Sequence, residues 1–262
     1  MASKKEIYAR YGIRMEGGKI ENAEFGFINP LLVNGNSKLG KGVYTWSMLP
    51  GNKVYNLVIN GKEYSVKGTC PCNCPGCYAQ TGFYKMSNVI EANAIKTICA
   101  RINIEWTRRA IIAQIRAENI KLVRIHASGD FFNIDYIEMW KDIAAECADC
   151  TFWTYTKNSA AENAFTDLKN INVVKSVIPG KGFNFGHCDY ILACYEMLKE
   201  AGKNVYICRC GIDKNQHCVN CTACSKNDYV LFIEHSTEYK AEQDPLFPVL
   251  RAVIESQTAQ NT

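Results

Sequence analysis

The residues of this chain best suited to chemistry are its cysteines. There are 14 in 262 residues, and most fall into two tight groups. Cys70, Cys72, Cys74 and Cys77 lie within eight residues; Cys208, Cys210, Cys218, Cys221 and Cys224 lie within 17. Cysteines that close rarely meet the spacing and orientation a disulfide needs, but they converge easily on a metal. Cys70, Cys74 and Cys77 have the spacing C-x3-C-x2-C. Three thiolates in such a loop hold three irons of a [4Fe–4S] cluster and leave the fourth open to a substrate or cofactor. Pro71 and Pro75 stiffen the loop, and Gly76 permits a tight reversal. Cys72 is an extra thiol that can substitute for a neighbour or complete a four-cysteine site. A structural zinc bound by any four of these thiolates is the competing reading.

The second group repeats a ferredoxin-like run, Cys218-x2-Cys221-x2-Cys224, with Cys208 or Cys210 available as fourth ligand. It is expected to bind metal, either an auxiliary [4Fe–4S] cluster or a zinc ion to which His217 can contribute. Cys99, Cys147, Cys150, Cys188 and Cys194 are scattered and read as small apolar core residues, the Cys147-x2-Cys150 pair included.

These groups need elements to position them. Residues 1–60 read as β-rich, with a turn at Glu16-Gly17-Gly18-Lys19. A hairpin runs from Val54 to Val66 with Asn60-Gly61 at its tip, the preferred pair for a type I′ turn. The period then becomes helical at 88–100, where Asn88 and Glu91 are spaced as a capping box, and at 104–118. Further helices are expected at Ile134–Glu146, from Ser159, and at Cys188–Ala201. Six strands are expected near 63–67, 121–127, 151–156, 172–177, 204–208 and 229–233. Strands alternating with helices imply parallel pairing. A partly open six-stranded β/α barrel fits, and an open doubly wound sheet fits the same periodicity. Either places the functional edge at the strands' C-terminal ends. The expected division is a β-rich extension over 1–60, the barrel with its cysteine-rich loop (208–226) over 61–235, and a tail over 236–262.

Candidate side chains cluster at those strand ends. Ser128-Gly129-Asp130 follows the second strand. His126 precedes it, and strict alternation would put Arg124, His126 and Ser128 on one face, with His126 able to donate hydrogen bonds or protons near the cluster. Thr156-Lys157 ends the third strand and Lys175-Ser176 the fourth; either can reach a bound cofactor. The run from Arg101 to Arg124 is rich in arginine. It reads as a solvated helix face, with nucleic-acid binding as the alternative.

The cysteine loop resembles that of the radical SAM enzymes, although the aromatic residue usual before the third cysteine is replaced by Gly76, with Tyr78 following. A second resemblance is to the phage and plasmid "gene product 88" family. It is carried by Asn36-Ser-Lys-Leu-Gly-Lys-Gly42, Thr69-Cys70-Pro71, Cys77-Tyr78-Ala79, Arg124 to Asn133 with Tyr136 and Trp140, and Tyr155-Thr156-Lys157. Together they imply a divergent radical SAM barrel: reductive cleavage of S-adenosylmethionine to a 5′-deoxyadenosyl radical that acts on an unidentified substrate. An electron donor such as flavodoxin or ferredoxin would then be needed. The resemblance places Ser128, Gly129 and Asp130 around the methionine ammonium; Tyr78 and Ser176 are read as further cofactor contacts, and His126 and Lys157 as catalytic candidates from their places at the strand ends. The alternative is a non-catalytic accessory protein, stapled by zinc or iron–sulfur, that binds nucleic acid.

Bulk properties set the limits. A charge of +4 permits an anionic partner without requiring one. No run approaches the roughly 18 apolar residues of a membrane span. The first residues lack the apolar core of a signal peptide, so a cytoplasmic protein with reduced thiols is expected.

Overall fold

The computed structural model describes residues 2–35, 39–72, 74, 77–176, 186–213, 215–233 and 240–259. Helix α1 (Lys4–Arg10) opens the chain under a capping box: Ser3 Oγ accepts from the Glu6 N–H, and Glu6 Oε2 from the Ser3 N–H at 2.7 Å. The β-rich reading of residues 1–60 names no helix here, although Ser3-x-x-Glu6 carries the signal. Strands β1 (Met15–Glu16), β2 (Lys19–Asn22) and β3 (Gly26–Ile28) form an antiparallel meander. β4 (Val33–Asn34) and β5 (Val43–Thr45) pair antiparallel. The hairpin of β6 (Val54–Ile59) and β7 (Lys62–Lys67) turns at Asn60-Gly61, whose φ of +51° and +79° meet the type I′ demand.

After the first cysteine loop come α2 (Ser87–Ile102), α3 (Ile104–Glu118), β8 (Leu122–Ile125), α4 (Ile134–Glu146), β9 (Thr151–Thr156), α5 (Ser159–Glu162) and β10 (Ile171–Lys175). The central sheet has the order β10-β9-β8-β5-β4, with β5, β8, β9 and β10 parallel. The strand that pairs with β8 is therefore β5. Residues 63–67 belong to β7, whose ladder partner is β6, so they are not the first parallel strand. The remainder comprises α6 (Cys188–Glu200), β11 (Val205–Ile207), α7 (Cys218–Cys221), β12 (Tyr229–Leu231) and α8 (Phe247–Ala259). β11 and β12 form a separate parallel pair. The described strands thus make the open five-stranded sheet, the β1–β3 meander, the β6–β7 hairpin and the separate β11–β12 pair, without a closed barrel. No helix among the described residues is long and apolar enough to cross a membrane.

Parity along the strands decides what each face of the sheet meets. Val123, Ile125 and Phe152 turn into the main core with Ile111, Ile115, Trp140 and Ile143 of α3 and α4. The opposite face presents Leu122, Val43, Trp153 and Tyr155, which pack with Leu39, Cys218, Val219 and Cys224. The helices cover one face and the second cysteine group covers the other. Two local expectations are corrected. The capping box at Asn88 and Glu91 does not form; Met86 holds the N-cap position of α2, without a side-chain bond. Strand β8 stops at Ile125 because His126 takes φ +61°, which breaks the alternation.

Candidate metal centres and the clamp that positions them

The first cysteine loop is fastened to the C-terminal ends of the parallel strands. Gly68, Thr69 and Cys70 donate backbone bonds to Lys53, Leu49 and Gly51, each at 2.9 Å, extending the β6–β7 ladder up to the first thiol. Thr69 Oγ1 donates to Leu49 O at 3.0 Å and accepts from the Asp130 N–H at 3.1 Å. Ser128 Oγ donates to Met48 O at 2.8 Å, and the Met48 N–H donates to Ser128 O at 2.9 Å. Between them Gly129 has φ +84°, and a Cβ there would stand 2.6 Å from Thr69 Oγ1 and 3.0 Å from Met48 Cβ. Only glycine permits this approach.

Asp130 completes the clamp. Its Oδ1 accepts from the Phe131 N–H at 2.7 Å and from Thr156 Oγ1 at 2.6 Å, and its Oδ2 from the Lys157 N–H at 2.8 Å. Burial raises the carboxyl pKa, and these hydrogen bonds counter part of that rise. The side chains of Ser128 and Asp130 are thus bonded within the protein, tying β8 and β9 to the segment that enters the cysteine loop.

Cys70, Cys72, Cys74 and Cys77 are all half-buried, and the Sγ atoms of Cys72 and Cys74 lie 3.7 Å apart. Cys70 lies within electrostatic range of Cys74, Cys77 and Asp130, and burial pushes its thiol up to about 12. A thiol so disposed ionises when a cation binds beside it. Thiols are the donors that an iron–sulfur cluster or zinc takes, although among the described residues no three of them are set for a single metal ion. Pro75 and Gly76, the expected stiffener and reversal, lie outside the described residues. Beyond Cys77 a 3-10 turn (Tyr78–Gln80) carries the Tyr78 hydroxyl to Ala127 O at 2.5 Å, and Tyr84 OH reaches the same carbonyl at 3.4 Å.

At the second centre, Cys208, Cys210, Cys218, Cys221 and Cys224 line one small cavity with Trp153 and Tyr206. Hydrogen bonding to Cys210, with burial, pushes the thiol pKa values of Cys208 and Cys218 up. Cys210 donates to Gln216 O, and Cys221 to Tyr206 OH. The loop is tied to the sheet by Asn172 Nδ2, which donates to Cys224 O at 2.8 Å and Asn227 O at 2.9 Å, and by the Val219 N–H on Leu39 O. Gly40 has no room for a side chain beside Val219 and His217. His217 Nδ1 is buried without a hydrogen-bond partner. Among the described residues, no three His, Cys, Asp or Glu side chains are set for a single metal ion. A four-iron cluster is larger than one ion and takes its thiolates further apart.

The other candidates fall elsewhere. His126 is buried on the helix-covered side. Its Nε2 meets Tyr136 OH at 2.8 Å and its Nδ1 meets Thr154 Oγ1 at 3.3 Å, with Phe131 edge-on. Burial lowers its pKa to about 3, so it is a neutral packing residue and does not share the face of Arg124. Lys157 acts here through its backbone N–H, and its charge reaches Cys72. The Ser176 N–H continues the β9–β10 pairing onto Thr156 O. Cys147 and Cys150 are core residues, as expected. The arginine run is occupied within the fold: Arg108 pairs with Glu105 and Glu146, Arg116 and Lys121 with Asp149, and Arg101 stacks over Phe132. Sequence reasoning gave no role to the Thr69 side chain, to Asn172 or to Tyr155. Thr69 is the polar residue directly before Cys70, and Tyr155 stands in the Tyr155-Thr156-Lys157 motif; nothing in the sequence marks Asn172.

Among known proteins, the profile of the gene product 88 family matches residues 30–180. The "Gene 88 protein" of Mycobacterium phage D29 is 32% identical over 85 residues, which cover 28% of this chain and 35% of that protein. The chain therefore spans about a third of the length of that relative. No solved structure matches. The matched segment runs from β4 through the first cysteine loop and the clamp to the end of β10, more than half of the 262 residues, and the chain belongs to the gene product 88 family.

Proposed function

We propose that this chain is an iron–sulfur protein whose first loop, through Cys70, Cys74 and Cys77, holds a [4Fe–4S] cluster, and that it is a radical SAM-type enzyme. The observation that carries the reading is the clamp. Thr69, Ser128, Gly129, Asp130 and Thr156 fix a three-cysteine loop at the C-terminal ends of parallel strands, where α/β enzymes hold their ligands. A cluster held there would supply one electron to S-adenosylmethionine, whose C5′–S bond would break to release methionine and leave a 5′-deoxyadenosyl radical to act on a substrate.

The chain's own residues hold the loop rigid, keep its thiols half-buried and set Lys157 and Tyr78 at its rim. Gly129 supplies the close backbone approach, while Ser128 and Asp130 act as positioning residues. Cys208, Cys210, Cys218, Cys221 and Cys224 would hold the second centre, as an auxiliary cluster or as zinc. The occupied arginines weigh against the nucleic-acid-binding alternative. The test is 5′-deoxyadenosine release from anaerobic, iron-loaded protein given dithionite and S-adenosylmethionine. Release is expected from the wild type and from Cys72→Ala, and is lost in Cys74→Ala with the fold retained. An iron-loaded wild type that releases none removes the enzyme reading and leaves a metal-stapled binding protein.

A further inference from the structure

We infer that Arg124 is the cation that balances the thiolate charge of the C-terminal cysteine centre and ties that centre to the first loop; this rests on the centre holding a metal. Arg124 pairs in register with Trp153, which places it on the sheet face opposite the helices. Its guanidinium lies 5.3 Å from the centre of the Tyr155 ring. Tyr155 packs with Cys224 on this face, and Cys224 lies within electrostatic reach of Arg124. In the other direction Arg124 Nη2 reaches Tyr78 OH at 3.4 Å, one residue after Cys77.

Among the described residues no carboxylate forms an ion pair with Arg124, whereas Arg108, Arg109 and Arg116 each have one. Its Nε is buried with no acceptor. Arg124 is half-buried, and a charge drawn out of water without a counter-charge is unfavourable, since arginine does not escape by losing its proton. The acidic groups that act on its guanidinium are the hydroxyls of Tyr78, Tyr155 and Tyr84 and the thiol of Cys224, and of these the Cys224 thiol is the one that a bound metal would ionise. Four thiolates outweigh either a zinc ion or an oxidised [4Fe–4S] core, so the loaded centre is anionic whichever metal it takes. Neutral, metal-free thiols would leave Arg124 uncompensated. Arg124 is therefore a positioning residue set between the two centres.

The test uses the full chain, loaded anaerobically, as wild type, Arg124→Gln and Arg124→Lys. Cys224→Ser and Cys77→Ser assign each signal to its centre. The readouts are the rate at which a chelator strips each centre and, where the C-terminal centre is iron–sulfur, its midpoint potential. Arg124→Gln is expected to lose the C-terminal metal at least about tenfold faster. At fixed potential it should hold about tenfold less reduced cluster, a shift of about 59 mV to the negative for one electron. Arg124→Lys keeps the charge and should stay within about threefold of wild type; it decides the matter alone if Arg124→Gln does not fold. A folded Arg124→Gln with wild-type metal retention and potential overturns the inference, as does a wild-type C-terminal centre that takes up no metal. Neither result touches the proposed function, which fails only if the first loop takes no iron or the loaded protein cleaves no S-adenosylmethionine.

Discussion

Gly129→Ala should unfasten the clamp from a single methyl group. Gly129 sits at φ +84°, and an L-residue held in the left-handed region costs about 1–2 kcal/mol. The added Cβ would stand 2.6 Å from Thr69 Oγ1 and 3.0 Å from Met48 Cβ, too close for either to stay. Moving packed neighbours costs about 1–3 kcal/mol. Thr69 Oγ1 also bridges Leu49 O and the Asp130 N–H, and displacing it forfeits about 1 kcal/mol more. The sum is a loss of about 4 kcal/mol, a large part of the roughly 5–15 kcal/mol that holds a domain folded. Urea unfolding of metal-free protein reads it directly, and the melting temperature should fall by about 10 °C. The cost is shared with Thr69, so Thr69→Ala/Gly129→Ala should be less destabilised than the two single changes added. A Gly129→Ala protein within about 1 kcal/mol of wild type, or a strictly additive double variant, would refute the close-approach argument.

Asp130→Asn should cost about 2–3 kcal/mol, since an amide turns a donor toward one of the three donors the carboxylate now accepts; an unchanged urea midpoint would count against the clamp. His126 titrates near 6.5 when unfolded and about 3 when folded, so the unfolded chain binds its proton first. Stability should then fall as pH drops from 6.5 toward 3, by about 1.4 kcal/mol per pH unit from this group. His126→Asn tolerates the positive φ and should flatten that slope by one proton per chain in urea midpoints between pH 6 and 4; a parallel slope contradicts the assignment. Asn172→Ala removes the side-chain bonds to Cys224 O and Asn227 O and should raise amide exchange across 222–228 while leaving α4 protected; unchanged exchange there would show that other contacts hold the loop.

Periodicity and caps made much of the fold legible. Helices α3 and α4 and strand β9 run as their patterns predict, and Asn60-Gly61 turns the hairpin as expected. Pairing was less legible, because it depends on which strand reaches β8. Val43–Thr45 is short, carries no alternation long enough to stand out, and lies far from the cysteine loop in sequence. The 63–67 run is the more conspicuous strand signal, but it pairs with β6. The same limit applies at the candidate site. Cysteine spacing identified both groups of thiols. Ser128-Gly129-Asp130 was marked as special, but toward a ligand; the structure turns those side chains into the protein. His126 left its expected face because a left-handed residue breaks strand parity, and φ is not written in a histidine. Asn172 and Tyr155 acquire their roles only when the C-terminal loop folds back on the sheet, bringing together residues 52 or more apart that no local pattern connects.

The central claim is that the two cysteine groups hold metal, with iron–sulfur at the first. It is tested most directly by iron, sulfide and zinc analysis of the anaerobically purified chain, with its absorbance read before and after dithionite. The account predicts brown protein that bleaches on reduction, with about eight irons per chain for two clusters, or about four irons and one zinc if the C-terminal centre is a staple. Colourless protein holding zinc alone, or no metal, after anaerobic purification would contradict it.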